Sequence, residues 1–247
     1  MISERLSDNS DRPNSGVKAP ALISAIALAM WAVLAAFPAL SQTMARQEPI
    51  PDAVWQAMQG KSWHGSFAAA QCARPEDCAC PPREALVLLS VPYRDFDDRE
   101  RIGRLIVARA VADEIAGAFT EIFESGQFRI AGMELVDQYG GDDDASMAAN
   151  NTSAFNCRLT TSGRTLSAHA FGTAIDINPL NNPYVRGKKT LPPAGQAFDE
   201  AAERAAGHPG VIVAGDVVTG AFAKRGWVWG GNWTNLKDYQ HFSKDGR

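Results

Sequence analysis

The chain has 247 residues, of which 45% are hydrophobic, and its 24 basic and 28 acidic residues give a net charge of −4. About 200 residues remain once an N-terminal segment is set aside, enough for one domain with a substantial core. The mildly acidic balance offers no basic patch for nucleic acid, and the sequence holds no glycine-rich loop of the kind that cradles phosphates. We therefore expect neither a nucleic-acid nor a nucleotide partner.

The N-terminal segment predicts export or membrane anchoring. The run from Ala19 to Leu40 carries no charge and is long enough to span a bilayer, and Lys18 lies at its edge. Small residues before Gln42 would equally suit signal-peptide cleavage. We interpret residues 1–41 as a polar leader followed by a signal anchor or signal peptide, and favour an uncleaved anchor in the membrane. The rest of the chain is then expected in the cell envelope, on the periplasmic or extracellular side of the cytoplasmic membrane.

Residues 42–82 are interpreted as a stalk or irregular lead-in that contains most of the cysteines. Cys72, Cys78 and Cys80 cluster here, and Cys157 follows much later. This usage suits an oxidising compartment. We favour a disulfide within the cluster and leave a second bridge, to Cys157, open. A second metal site is the alternative, but the cluster lacks both a nearby His and a C-x-x-C spacing.

A domain that mixes strands and helices is expected over residues 83–247. Residues 86–91 form the apolar run of a buried strand, and residues 104–107 predict a second one. Apolar residues then recur at helical spacing from 108 to 124, and Gly126 is expected to end that helix.

An irregular, acidic region follows. Residues 128–135 predict a further strand, and residues 137–164 a long irregular segment of the sort that often carries function. Its run from Asp142 to Asp144 could attract a cation, but we favour a solvated acidic loop.

The C-terminal third alternates loops with short elements. Residues 178–193 predict a surface loop whose basic side chains could meet a substrate carboxylate or lie in solvent; these are Arg186, Lys188 and Lys189. A helix is expected over 216–224, with Asp216 as its N-cap, and a strand over 227–229. His64 and His208 are interpreted as structural residues.

The segment from Ser167 to Asp176 holds two residues with metal-binding chemistry. Between His169 and Asp176, Gly172 permits a tight or left-handed turn, and residues 173–177 then predict a short strand that presents Asp176. The two neighbours of Asp176 are isoleucines, and an unpaired carboxylate facing a core would be costly. A metal ion or a hydrogen-bonding partner is therefore expected beside it.

Asp238 and His241 form the second half of this pattern. A catalytic zinc site takes three ligands from His, Asp, Glu or Cys and keeps a fourth position for water. His169, Asp176 and His241 complete such a set for one Zn²⁺ ion. Because Asp238 precedes the last ligand by three residues, we expect it near the metal as the general base that takes a proton from the bound water. A solvated turn residue is the alternative for Asp238.

Together the two halves, S-x-H-x-x-G-x-A-x-D and D-x-x-H-F, resemble a family of bacterial cell-wall peptidases. It comprises the zinc D-alanyl-D-alanine carboxypeptidases, D-Ala-D-Ala dipeptidases and L-alanyl-D-glutamate endopeptidases. Segments 151–158, 176–184 and 226–231 are similar to one carboxypeptidase-like branch, and the resemblance covers roughly Glu84 to Lys244. Either half alone arises easily by chance. The two halves in this order, with these flanking segments, are specific to the family.

The resemblance also implies roles for residues outside the ligand set. In the family, an Arg upstream of the first His ligand holds the scissile carbonyl oxygen as it becomes negative, and Arg158 matches it. A guanidinium suits this role because it is always charged and offers several donors; an ordinary ion pair is the alternative. Ser167 is expected to orient a ligand or to touch substrate. Trp229 is expected either to line the cleft or to pack behind the metal site.

The fold implied by the resemblance is α+β, with a central, mainly antiparallel sheet that carries the zinc and is flanked by helices, as in Hedgehog/DD-peptidase-like domains. The implied function is zinc-dependent hydrolysis of peptidoglycan stem peptides, foremost as a D-alanyl-D-alanine carboxypeptidase. An L-alanyl-D-glutamate endopeptidase is the alternative within the class. A non-catalytic cell-wall-binding zinc module is the alternative outside it, although a decayed enzyme would be expected to lack a member of the residue set.

Overall fold

The computed structural model describes residues 44–63, 79–160, 165–204 and 207–246. The N-terminal apolar run, Cys72 and Cys78 lie outside these ranges, and what the sequence suggests for them stays a prediction. Within the ranges, no helix combines the length and the apolar character needed to cross a membrane.

The described residues fold into short helices and short antiparallel strands. The helices are α1 (Asp52–Met58), α2 (Ala112–Ser125), α3 (Asp143–Ala148) and α4 (Val217–Ala223). The strands are β1 (Arg46–Glu48), β2 (Leu86–Arg94), β3 (Glu100–Ala108), β4 (Ala174–Asp176), β5 (Tyr184–Arg186), β6 (Lys189–Leu191), β7 (Val228–Trp229), β8 (Lys237–Asp238) and β9 (His241–Ser243).

The main core lies between the β2–β3 hairpin and helix α2. The hairpin is paired along its whole length, from Leu86 opposite Ala108 to Arg94 opposite Glu100. Helix α2 buries its apolar side chains in the same hydrophobic cluster as β2 and β3, and it ends at Gly126 with a φ of 65°. These two strands and this helix confirm the predictions made from apolar runs and helical spacing.

The lead-in contributes to a second hydrophobic cluster, although the sequence interpretation placed it ahead of the domain. Strand β1 pairs with β2, and Ile50 and Met58 are buried together with Phe155. A disulfide joins Cys80 to Cys157 in this cluster, so the bridge that was left open is the one observed. Elements as short as β1 and α1 carry no periodic signal in the sequence, which explains why they were not predicted.

The strand predicted over 128–135 is not formed. The backbone here is extended, but its hydrogen bonds go to separate parts of the fold: Ile130 N donates to Arg94 O, and Met133 O accepts from Arg104 N. An apolar run marks a buried segment without showing whether one neighbouring strand accepts all of its hydrogen bonds.

The remaining strands form two further sheets that carry the candidate site. Sheet β4–β9–β7 and sheet β6–β5–β8 each have three strands. The α+β composition and the antiparallel pairing agree with expectation, but the strands of the described residues are divided among three small sheets. The predicted helix over 216–224 is confirmed as α4, whose N-cap Asp216 accepts a hydrogen bond from Thr219 N at 2.8 Å.

Candidate metal centre

Strands β4 and β9 bring the candidate ligands together. Asp176 at the end of β4 pairs directly with His241 at the start of β9. His169 lies in the 3-10 turn Ala168–Phe171, just before β4. The long gap between the two motif halves in the sequence is thus closed by a single antiparallel strand pair.

The turn before β4 is shaped by the residues at its two ends. The hydroxyl of Ser167 accepts a hydrogen bond from the backbone nitrogen of His169 at 3.3 Å, which supports its predicted orienting role. Gly172 has a φ of 68°, and a Cβ at this position would lie 2.5 Å from the backbone nitrogen of Ala108. Any side chain would therefore disturb the contact between the turn and β3.

The three side chains are buried and their ligand atoms converge. His169 Nε2 lies 3.1 Å from Asp176 Oδ2 and 3.2 Å from His241 Nδ1. His241 Nδ1 lies 3.0 Å from Asp176 Oδ1. A tetrahedral zinc ion with bonds of about 2.0–2.1 Å keeps its ligand atoms roughly 3.3 Å apart, so these spacings fit that ion.

The orientation of His169 is set by a backbone carbonyl. Its Nδ1 lies 2.6 Å from the oxygen of Ala154, which can only accept, so His169 donates from Nδ1 and turns Nε2 towards the cluster. The adjacent Ser153 exchanges two backbone hydrogen bonds of 2.9 Å with Asp176. One short segment therefore holds two candidate ligands, and a buried concentration of acceptors is what a cation satisfies.

Asp176 is ionised under ordinary conditions. Burial by itself would raise the pKa of this carboxyl, but the charge and hydrogen bonds of His169 and His241 outweigh burial and lower the pKa well below its usual range. A carboxylate ligand must be deprotonated to bind a metal, and Asp176 meets that condition.

Asp238 lines the same cavity as the three candidate ligands. It lies on β8 directly opposite Tyr184 of β5. Its Oδ1 is buried and has no hydrogen-bond partner among the described residues. Burial raises the pKa of Asp238 to about 6. A carboxyl that titrates near neutral pH and keeps one oxygen free of hydrogen bonds can both accept and return a proton.

Arg158 also lines the cavity, where it forms an ion pair of the kind considered as its alternative role, with a partner that the sequence did not indicate. Its Nη2 lies 2.9 Å from Asp143 Oδ2. Burial by itself would lower the pKa of Arg158, but the nearby charges of Asp143 and Asp176 raise it, so the guanidinium keeps its charge.

The acidic run from Asp142 to Asp144 caps and begins helix α3, so it is not the loop that the sequence predicted, although two of its side chains are exposed. Asp142 is the N-cap of α3 and accepts a hydrogen bond from Ala145 N at 3.1 Å. Asp143 holds Arg158, whereas Asp142 and Asp144 are exposed. An Asp ahead of a short helix-forming stretch is an N-cap signal that could have revealed α3.

The cavity has a volume of about 750 Å³ and several aromatic lining residues that the sequence did not single out. Tyr184 and Phe171 line it, and the ring of Trp233 lies 5.5 Å from that of His241. Their positions depend on strand register and loop course, for which no local pattern exists.

Trp229 lies in the main core, not in the cavity wall. Its Nε1 donates to Tyr239 O at 2.9 Å, and its ring stacks on Phe242 with centroids 6.5 Å apart. Of the two roles predicted for it, the structure favours hydrophobic packing over a place in the cavity lining.

Residues 160–244 match the family model described as D-alanyl-D-alanine carboxypeptidase. The matched segment contains the three candidate ligands and Asp238 and begins just after Arg158. The match agrees with the family that the two motif halves resemble. Comparisons with curated proteins and with solved structures found no match.

Proposed function

We propose that this chain is a zinc-dependent hydrolase of peptidoglycan stem peptides that releases the terminal D-Ala, in keeping with the match of residues 160–244 to the D-alanyl-D-alanine carboxypeptidase family model. The observation that carries the proposal is the buried convergence of His169, Asp176 and His241 in a cavity shared with Asp238 and Arg158. Family membership alone would leave open whether a chemically complete site exists.

Each residue of the cavity has a defined task in this proposal. His169, Asp176 and His241 would hold one Zn²⁺, and the bound ion would lower the pKa of a water molecule and polarise the substrate carbonyl. Asp238 takes a proton from the attacking water and returns it to the leaving amine. Arg158 donates hydrogen bonds to the carbonyl oxygen as negative charge develops there.

The proposal extends to fold type and location. An antiparallel strand pair that carries two ligands supports a Hedgehog/DD-peptidase-like domain. The disulfide between Cys80 and Cys157 suits an oxidising compartment. We place the domain outside the cytoplasmic membrane, where its substrate lies, with the apolar run Ala19 to Leu40 as its export signal or anchor.

Product analysis tests the proposal directly. The full-length protein in detergent is incubated with a stem pentapeptide and with muropeptides, and the products are identified by mass spectrometry. Release of one D-Ala, abolished by a chelator and restored by zinc, is the expected result. Cleavage between L-Ala and D-Glu would instead assign an endopeptidase, and zinc-loaded protein that binds the peptide without cutting it would be a binding module.

A further inference from the structure

One face of sheet β6–β5–β8 forms a wall of the candidate active site. Directly opposed residues of antiparallel strands project to the same face, as do residues two apart along one strand. Tyr184 is opposite both Asp238 on β8 and Leu191 on β6, and Arg186 follows Tyr184 by two. All four line the cavity, so this wall carries the candidate base and an arginine side by side.

The positive charge of Arg186 on this wall is available to a ligand. Among the described residues, the exposed side chain of Arg186 takes part in no ion pair or hydrogen bond. Arg158, the other arginine among the described lining residues, is already paired with the carboxylate of Asp143 at 2.9 Å. A substrate that brings a full negative charge into the cavity therefore meets its open cationic partner at Arg186.

Arg186 lies close enough to the candidate base along β5 for its side chain to reach the substrate residue that leaves. Two residues of a strand span roughly 6.6 Å, which separates the Arg186 backbone from the point opposite Asp238. Consecutive Cα atoms of a peptide are about 3.8 Å apart, so a carboxylate one residue beyond the cleaved bond lies within reach of the Arg186 side chain.

We propose that Arg186 binds the free C-terminal carboxylate of the substrate and so makes the site an exopeptidase. This inference rests on the proposed function and specifies its substrate class, peptides with a free carboxylate on the residue that leaves. A guanidinium suits this task because its planar fork matches the two oxygens of a carboxylate. Stem peptides also contain an internal carboxylate on D-Glu, which presents the same chemistry and has to be distinguished by experiment.

The test compares matched peptides. One stem pentapeptide ends in a free acid and one in an amide, and each is also prepared with the D-Glu carboxyl amidated. For the wild-type protein we expect kcat/KM to favour the free acid by roughly 10- to 100-fold, the effect of a hydrogen bond between charged groups. In Arg186→Ala this preference disappears through a higher KM for the acid, while cleavage of the amide is unchanged.

The matched control is Lys188→Ala. Lys188 carries the same charge, lies in the turn between β5 and β6 and is outside the cavity lining, so this variant should keep the full preference for the free acid. Arg186→Lys should keep part of it, because an ammonium retains the charge without the fork. Arg186 is exposed, so neither replacement should disturb folding.

Binding to the zinc-loaded Asp238→Asn protein provides a readout that does not need turnover. The acid should bind more tightly than the amide, and Arg186→Ala in this background should remove the difference. A free-acid preference that survives Arg186→Ala, or that depends on the D-Glu carboxyl instead of the terminus, would overturn the inference. If Arg186 governs binding but no peptide is cleaved by the wild type, the proposed function fails and the assignment of Arg186 stands.

Discussion

Two residues of the candidate site, His169 and Arg158, each have a neighbour that fixes their orientation or charge. The carbonyl of Ala154 sets the tautomer of His169, and Asp143 keeps Arg158 in place and charged. Asp238 differs, since its Oδ1 has no hydrogen-bond partner among the residues described. One oxygen of the side chain that the proposed chemistry requires to exchange a proton is thus free of hydrogen bonds within the described part of the chain.

Replacing Asp238 by Asn should separate proton transfer from metal binding. The amide keeps the size of the side chain but cannot act as a base, so we expect kcat to fall by about 10²- to 10⁴-fold. Zinc content should be unchanged because Asp238 is not among the converging ligand atoms. Kinetics and elemental analysis of the same preparation measure both quantities; near-normal turnover would remove Asp238 from the mechanism.

Asp143 and Asp144 provide a matched pair of variants. Both lie in the first turn of α3, but only Asp143 contacts Arg158. Asp143→Asn should lower kcat by about 10-fold. The weaker hydrogen bond would hold Arg158 less firmly, and the loss of a hydrogen bond to a charged group costs about 1.5 kcal/mol, here taken from the stabilisation of the transition state. Asp144→Asn should match the wild type in steady-state kinetics. Equal effects of the two changes would mean that the ion pair does not support catalysis.

Secondary structure was predictable where elements are long or carry a local signal. Helix α2 and the β2–β3 hairpin follow from their apolar patterns, and α4 from its N-cap. Strands β5 and β8 have two or three residues each, and their pairing depends on long-range contacts that the sequence does not display. The ligand set was predictable because its motif is local to two short segments, whereas the partner of Arg158 was not.

Helix α2 is tied to the C-terminal segment by Glu114. Its Oε2 accepts hydrogen bonds from Trp227 Nε1 and Lys244 Nζ, each at 2.7 Å. Burial by itself would raise the pKa of Glu114, but these hydrogen bonds outweigh burial and lower it below 4.5. A lowered folded-state pKa means that this stabilisation is present above the unfolded pKa and is lost as the pH falls through the folded value.

Glu114→Gln should therefore reduce the free energy of unfolding by about 1 kcal/mol at pH 7, given the partial exposure of the pair. The difference from wild type should shrink as the pH falls below about 4. Urea unfolding at several pH values measures this difference in the free energy of unfolding. The control is Glu124→Gln, because Glu124 lies on the same helix but is exposed. If Glu114→Gln lowered the free energy of unfolding at pH 7 no more than this control does, the hydrogen bonds of Glu114 would not stabilise the fold.

The whole described domain is organised around two hydrophobic clusters. One lies between α2 and the β2–β3 hairpin, and the other joins the lead-in to the segment that carries Arg158. Sequence reasoning left the lead-in outside the domain because its apolar residues are few and its elements short. The disulfide between Cys80 and Cys157 spans 77 positions and links the lead-in to the residue next to Arg158.

Removing this disulfide should cost more stability than any single contact. In the chain-entropy account, closing a loop of that length lowers the conformational entropy of the unfolded chain and so raises the free energy of unfolding by about 4.5 kcal/mol. The double replacement Cys80→Ala and Cys157→Ala should therefore lower the free energy of unfolding by several kcal/mol, measured by chemical denaturation. A double variant within about 0.5 kcal/mol of the wild type, near the limit for an ordinary surface change, would show that the bridge is not a stabilising link.

Zinc content is the most direct test of the central claim, that His169, Asp176 and His241 form a metal centre. The full-length protein, His169→Ala and His208→Ala are purified without chelator and assayed by elemental analysis, with circular dichroism to verify folding. His208 packs against Phe96 and Phe198 away from the candidate ligands and serves as the control. We expect about one zinc per chain in the wild type and in His208→Ala, and little in His169→Ala. Stoichiometric zinc in folded His169→Ala, or none in the wild type, would contradict the account.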